Sequence, residues 1–159
     1  MDVVLVSMPF AEVQRPSIAL GLLHASLRNT DIQSEVVYAN FGLAERIGLV
    51  AYQAMQNVPT DHLLGEWCFA SRLFPTTEAS DEEYLNLVLE VRCHNFPAGL
   101  EERKDQMRWV RRQCAAFIDW LADVILAKNP KLVGCSSVFQ QHCASLALLK
   151  RIHELRMQS

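Results

Sequence analysis

The feature that most constrains this chain is KLVGCSSVFQQHCASLALLKRIHEL at residues 131–155, which reads as strand, loop and helix in immediate succession. Asn129-Pro130 ends whatever helix precedes it, because the residue before proline is pushed out of the helical region. Leu132 and Val133 begin a short apolar strand, Gly134 lets the backbone approach a neighbour closely, and Cys135, Ser136 and Ser137 close it. The helix that follows sets Leu146, Leu149, Ile152 and Leu155 on one stripe and Lys150, Arg151 and Glu154 on the other. Such a succession is one unit of a doubly wound α/β sheet, whose ligands sit beyond the carboxyl ends of the strands. Ser136, Ser137, Val138, Phe139, Gln140 and Gln141 fall at that place.

The start of the chain repeats the pattern. Residues 3–6 are a continuous β-branched and leucine run, the mark of a strand covered on both faces. Ser7, Met8, Pro9 and Phe10 end it, since proline cannot donate to a ladder. After a loop closed by Arg15-Pro16, Ser17 reads as an N-cap or Pro16 as the first helical residue. The helix runs to about Arg28 with Leu20, Leu23 and Leu27 on its core stripe. Gly21 inside it marks either a close approach or a harmless surface position. A second strand is expected over residues 32–38, and the stretch after it, with Asn40, lies on the same ligand side. Strand, helix, strand makes a βαβ unit.

Between these units, residues 43–128 change character. Helical periods run over residues 43–56, 61–73 and 81–92, a break is expected over 95–99, and a long amphipathic helix spans 100–128. Its apolar stripe includes Met107, Val110, Cys114, Phe117, Leu121, Val124 and Ile125, while Glu101, Glu102, Arg103 and Lys104 read as a solvated face. So long a stretch is no simple crossover, and we read a helical insertion packed over the ligand edge of the sheet. The expected fold is therefore α/β, a partial doubly wound Rossmann-like parallel sheet with a large helical insertion and its C-terminal strands missing. Three strands leave an open outer edge. That suggests a fragment of a longer protein, or a chain that dimerises by pairing this edge with another copy.

Composition narrows function mainly by exclusion. A length of 159 residues, half of them hydrophobic and 21% charged, suits one globular domain. Net charge is −3 and no basic block is interleaved with aromatics, so nucleic acid is not an expected partner. The N-terminus carries Asp2 in place of a basic region, and no window approaches the roughly 18 apolar residues that span a bilayer. A cytoplasmic location is expected. The five cysteines are scattered with no CxxC or CxxxCxxC, which favours small buried hydrophobes in a reducing cytosol over a zinc or iron–sulfur site. Neither GxGxxG nor a P-loop is present. His142 and Cys143 lack further ligands in register and read as helix-start residues, and no catalytic triad assembles by spacing.

Two constellations remain. The first is the pair of strand-end loops, residues 7–10 and 136–141, whose backbone amides and hydroxyls suit the amide side chains and phosphate of a large cofactor; the alternative is an ordinary turn pair. The second is Glu66 with Trp67 beside Gly65. A tryptophan next to a carboxylate could cap a flat ligand, or Trp67 is core and Glu66 an ion-pair partner.

VVLVSMPFA with the PSIALGLLHASL that follows, YAN at residues 38–40, GEWCFA at 65–70 and the final segment together resemble one family. It is the radical S-adenosylmethionine maturases of ribosomally synthesised peptides, of the bacteriocin-maturation type. The resemblance implies the N-terminal cobalamin-binding-like domain of a larger enzyme, followed there by a radical S-adenosylmethionine barrel whose CxxxCxxC binds a [4Fe–4S] cluster. It also implies a precursor peptide as partner and C-methylation as the reaction. Carried onto this sequence, the cofactor-side residues would be Ser7, Met8, Pro9, Phe10, Ser17, Asn40 and Ser136 through Gln141, with Glu66 and Trp67 in the family's insertion. The chain departs from many cobalamin proteins in having no DxHxxG, so a bound cobalamin would carry no protein histidine on cobalt. It also lacks the cluster cysteines, so alone it is not a complete catalyst. A cobalamin-free domain that positions the peptide is the alternative.

Overall fold

The computed structural model describes residues 1–75, 77–92 and 99–158, and the side chains of 90–92 are outside that description. Of the expected break at residues 95–99, positions 95–98 lie outside the described residues, as do Cys93 and His94. Three strands form one parallel sheet in the order β2-β1-β3. They are β1 (Val3–Ser7), β2 (Ser34–Tyr38) and β3 (Leu132–Cys135). This is an α/β architecture with the strand order of a partial Rossmann-like sheet. The central β1 pairs with both neighbours in parallel, Val6 lying against Val37 on one side and Cys135 on the other. Gly134 faces Leu5 across the ladder, and a Cβ there would stand 3.2 Å from Leu5 Cδ2, so the glycine makes room for the leucine.

Helix α1 (Ile18–Leu27) connects β1 to β2, and its Ser17 cap accepts from Leu20 N at 3.3 Å. Only Leu20 of this helix is buried; Leu23, expected in the core stripe, is exposed. Gly21 meets nothing, which makes it the harmless surface glycine. The insertion follows β2 without a loop, because α2 (Ala39–Ile47) starts at the next residue. The single helix expected over residues 43–56 is broken: Gly48, at φ 85, separates α2 from α3 (Leu49–Gln56). A left-handed backbone of this kind suits glycine and ends a helix. The run over residues 61–73 is likewise divided. A 3₁₀ turn, Thr60–His62, meets α4 (Leu64–Ala70) at Leu63, whose φ is 54.

Helix α5 (Glu78–Asn86) begins on a capping box in which Thr77 and Ser80 bond reciprocally, and it runs into a π-helical turn, Leu87–Arg92. Helix α6 (Leu100–Leu126) carries the expected stripe, with Val110, Cys114, Phe117, Leu121 and Ile125 all at 0% exposure. Lys104, expected on a solvated face, is instead buried. Its Nζ donates to Glu82 Oε1 at 2.6 Å and Glu101 Oε1 at 2.9 Å, and that pairing is what permits its burial. The last helix, α7 (His142–Met157), buries Ala144, Ala147, Leu148 and Ile152, whereas Leu146 and Leu149 of the expected stripe are exposed. Ala144, Ser145 and Ala147 on its buried face let α7 lie close against α4 and α6, with Leu148 and Ile152 filling the rest of that contact. The main core joins Val4 and Val6 of β1 to residues of α2, α4, α6 and α7, and contains no residue of α1. No helix among the described residues is long and apolar enough to cross a membrane.

Candidate functional site

Parallel pairing of β1 with β3 brings their carboxyl ends to one rim, at the point where the chain passes from one side of β1 to the other. Side chains of the two loops then stitch that rim together. Ser136 N donates to Val6 O and Met8 N donates to Ser136 Oγ, both at 2.9 Å. Gln141 Nε2 donates to Met8 O at 2.9 Å, while its Oε1 accepts from Val138 N at 3.3 Å. The Ser145 hydroxyl lies 2.7 Å from the carbonyls of both Ser136 and Gln141. These bonds fix the β3–α7 loop with its mouth toward the start of α1.

Between that loop and α1 lies a crevice of about 450 Å³. Of the residues expected at the site, Ser7, Ser17, Ser136, Ser137, Val138 and Gln141 line it. Val138, 64% exposed, gives the crevice an apolar lip, while the neighbouring Phe139, 78% exposed, is not among the residues that line it. Met8, Pro9 and Phe10 are directed into the protein; the Phe10 ring sits 5.2 Å from that of Tyr52 and 6.0 Å from that of Phe69. Gln140 is also turned inward, on a backbone with φ 65. Its Oε1 accepts from Gly65 N at 3.0 Å and its Nε2 donates to Val58 O at 3.3 Å. Gly65 is therefore glycine for a reason: a Cβ there would fall 2.7 Å from Gln140 Cβ. Asn40 supports the β1–α1 loop from behind, its Nδ2 donating to Glu12 O at 3.2 Å while Oδ1 is buried without a partner among the described residues.

Glu66 and Trp67 are adjacent in sequence and part company in space. Glu66 reaches the start of α7, where its carboxylate accepts from His142 N at 3.0 Å and from Cys143 N at 2.6 Å. It is a cap for a helix distant in sequence, and two orphan amides of that first turn are satisfied by it. Trp67 lies on a second groove of about 610 Å³ with Asp81 and Arg111. The Trp67 Nε1 donates to Asp81 Oδ1 at 3.1 Å, its ring stacks on Tyr84, and the Arg111 guanidinium sits 4.3 Å above it.

Titration behaviour separates the rim cysteines from reactive ones. Burial pushes the Cys135 thiol up to about 12; burial and the nearby Glu66 carboxylate push Cys143 up to about 11. Both stay protonated at neutral pH, which disfavours thiolate chemistry. Among the described residues no group of three His, Cys, Asp or Glu side chains is placed to hold a metal ion.

Arg15 and Glu12, which line the crevice, and Arg111, which covers Trp67, are not marked as site residues by any motif in the sequence. The signal for Arg15 was its place immediately before the Pro16-Ser17 helix start. Nothing local in sequence links Arg111 to Trp67. Comparison with protein-family models, curated proteins and solved structures finds no match.

Proposed function

We propose that this chain is the cofactor-binding domain of a radical S-adenosylmethionine enzyme that modifies a ribosomally made precursor peptide, by C-methylation, with cobalamin as the cofactor of this domain. The observation that carries the reading is the crevice at the β1/β3 rim, the position at which open α/β sheets take their ligands. Its residues fit such a group in part. Ser7 offers a hydroxyl, Ser17 one that keeps its proton to donate while accepting from Leu20 N, and Ser137 one that is shared with His142 Nδ1 at 2.9 Å. Val138 offers exposed apolar surface to a broad planar molecule, and the crevice admits a portion of it. Bound cobalamin would supply a transferable methyl group. The chain's own residues would orient the cofactor and exclude water from its protein side. The cluster, S-adenosylmethionine and the reacting carbon belong in this proposal to a barrel in the parent protein. That barrel, or a second copy, would also cover the free edge of β3, where Leu132 is 59% exposed.

Incubation with hydroxocobalamin followed by desalting tests the reading. Retained corrin absorption bands without a nitrogen ligand from the protein are expected, and Ser137→Trp should abolish retention. A folded, colourless wild-type protein would refute the cofactor assignment. One observation favours the cobalamin-free alternative, a domain that positions the peptide: Gln140, Gln141 and Glu66 spend their polar atoms within the chain. A colourless protein that binds the precursor peptide, followed by fluorescence anisotropy, would establish that reading instead.

A further inference from the structure

Two helices begin at this rim, and they differ in what their first turns already hold. At α7 the Glu66 carboxylate supplies the counter-charge to the helix dipole from within the chain. At α1 there is no acidic residue in the first turn, and Ser17 satisfies Leu20 N alone. The amides of Ile18 and Ala19 therefore stay among the donors that a helix leaves unpaired at its start. Ser17 and Ala19 line the crevice, so this helix start opens onto it.

Two further groups converge there. Arg15 is the one cationic side chain among the residues lining the crevice, and it is 82% exposed. Its Nε stands 3.7 Å from Glu12 Oε1, too far for a hydrogen bond, so the guanidinium is only loosely held. Ser7, at the tip of β1, is 2% exposed and lines the crevice, and its hydroxyl has no hydrogen-bond partner among the described residues. A serine so buried ordinarily has its hydroxyl bonded within the protein. Here the hydroxyl is left to bond a ligand in the crevice that Ser7 lines.

We propose that the crevice receives a phosphate group of its ligand against the start of α1, between the Arg15 guanidinium and the amides of Ile18 and Ala19, with the Ser7 hydroxyl donating to the same ligand from the crevice floor. The proposal rests on the crevice being the ligand site, and it names the part of the ligand that α1 recognises. A helix start with a guanidinium beside it suits a tetrahedral oxyanion, which accepts from several directions at once. The α7 start cannot take that role while Glu66 occupies it.

Inorganic phosphate titrated into the whole chain, followed through backbone amide shifts by nuclear magnetic resonance, tests this directly. Saturable shifts are expected at Ile18 and Ala19 and none at His142 or Cys143. Arg15→Gln should weaken the apparent affinity by roughly tenfold, the loss of one charge-assisted contact. Glu12→Gln should strengthen it, because the competing carboxylate is gone, and Ser7→Ala should weaken retention of hydroxocobalamin. Hydroxocobalamin, which carries a phosphodiester, should be retained better than cobinamide, which carries none, and Arg15→Gln should erase that preference. Shifts at His142 and Cys143 in place of α1, or an affinity indifferent to Arg15→Gln, would overturn the proposal. Phosphate shifts at α1 with neither corrinoid retained would sustain it and sink the cobalamin reading; corrinoid retention without phosphate shifts would do the reverse.

Discussion

On one face of the sheet, Val4 and Val6 meet a continuous cluster drawn from α2, α4, α6 and α7, in which Phe117, Ile118, Leu121 and Ile125 are wholly buried. On the other, Leu5 and Leu20 are buried outside that cluster, and Ile18, Leu22 and Leu23 of α1 are 77%, 65% and 53% exposed. Alternation along β1 sends successive side chains to these two unequal layers. The lesson is that the insertion is no ornament on a sheet; it is the principal core, and the sheet is one wall of it. The crevice accordingly has one stiff side, the β3–α7 loop tied down by Gln140, Gln141 and Ser145, and one lightly packed side, α1. Ligand-gripping elements are commonly drawn from such less stable layers.

Removing Phe117 breaks this contrast most forcefully. Phe117→Ala empties a site that touches Gly42 and Trp120 and should cost about 3–5 kcal/mol in urea-induced unfolding. Leu20→Ala, on the thin layer, should cost less. Equal losses would mean the two faces share stability evenly and the comparison fails.

Next in size is Gly65→Ala. Alanine is the better helix former by up to about 1 kcal/mol, yet its Cβ would collide with Gln140 Cβ, and overpacking of this kind costs about 1–3 kcal/mol. A lower midpoint in thermal unfolding is expected. Gln140→Gly alone is also destabilising, because it strips Gly65 N and Val58 O of their partner, but it removes the colliding atom and suits the positive φ, so the double variant should lose less than the sum of the two single losses. Additive losses in the double variant would show that the clash is not the cause.

A smaller effect is expected from Glu66→Ala, which leaves the amides of His142 and Cys143 without their acceptor. Loss of a cap costs about 1 kcal/mol, and Glu66→Gln, which keeps an acceptor and drops the charge, should cost about half of that. Amide exchange at the first turn of α7 reads the change locally. Unaltered exchange would show that α7 is held by packing alone.

How far these features could be read in the sequence depends on their range. Strands β1 and β3, the long α6 and the two rim loops follow from apolar runs, proline positions and a sustained 3.6-residue period, which are local signals. The breaks at Gly48 and Leu63 were hidden because an apolar period continues across a turn whose backbone, not its hydrophobicity, changes hand. The large residues of α7 place its stripe on Leu146 and Leu149, yet a closely approached helix buries Ala144 and Ala147 beside Leu148 and leaves those two leucines exposed. Lys104 and Glu66 were illegible for a different reason. The partners of Lys104 include Glu82 from another helix, and those of Glu66 are amides 76 and 77 residues away. Within the site, residue type marked the rim correctly as a meeting place. It could not tell that Gln140 points inward while Ser137 stays exposed, since that depends on the positive φ at Gln140.

The smallest expected effect sharpens the comparison from its thin side. Leu22 is 65% exposed on α1, and an exposed side chain away from caps and cores changes stability by no more than about 0.5 kcal/mol when replaced. Leu22→Ser should therefore leave the thermal midpoint of the dilute protein essentially where it was. At high protein concentration the same substitution becomes informative. Where the apolar face formed by Ile18 and Leu22 is bare in solution, the wild type and the variant keep the same midpoint at every concentration. Where a second copy covers that face, the wild-type midpoint rises with concentration by mass action and the variant's does not. A concentration-dependent wild-type midpoint that Leu22→Ser abolishes would mean that the unequal packing of the two faces belongs to the single chain only, and that association completes the thinner layer.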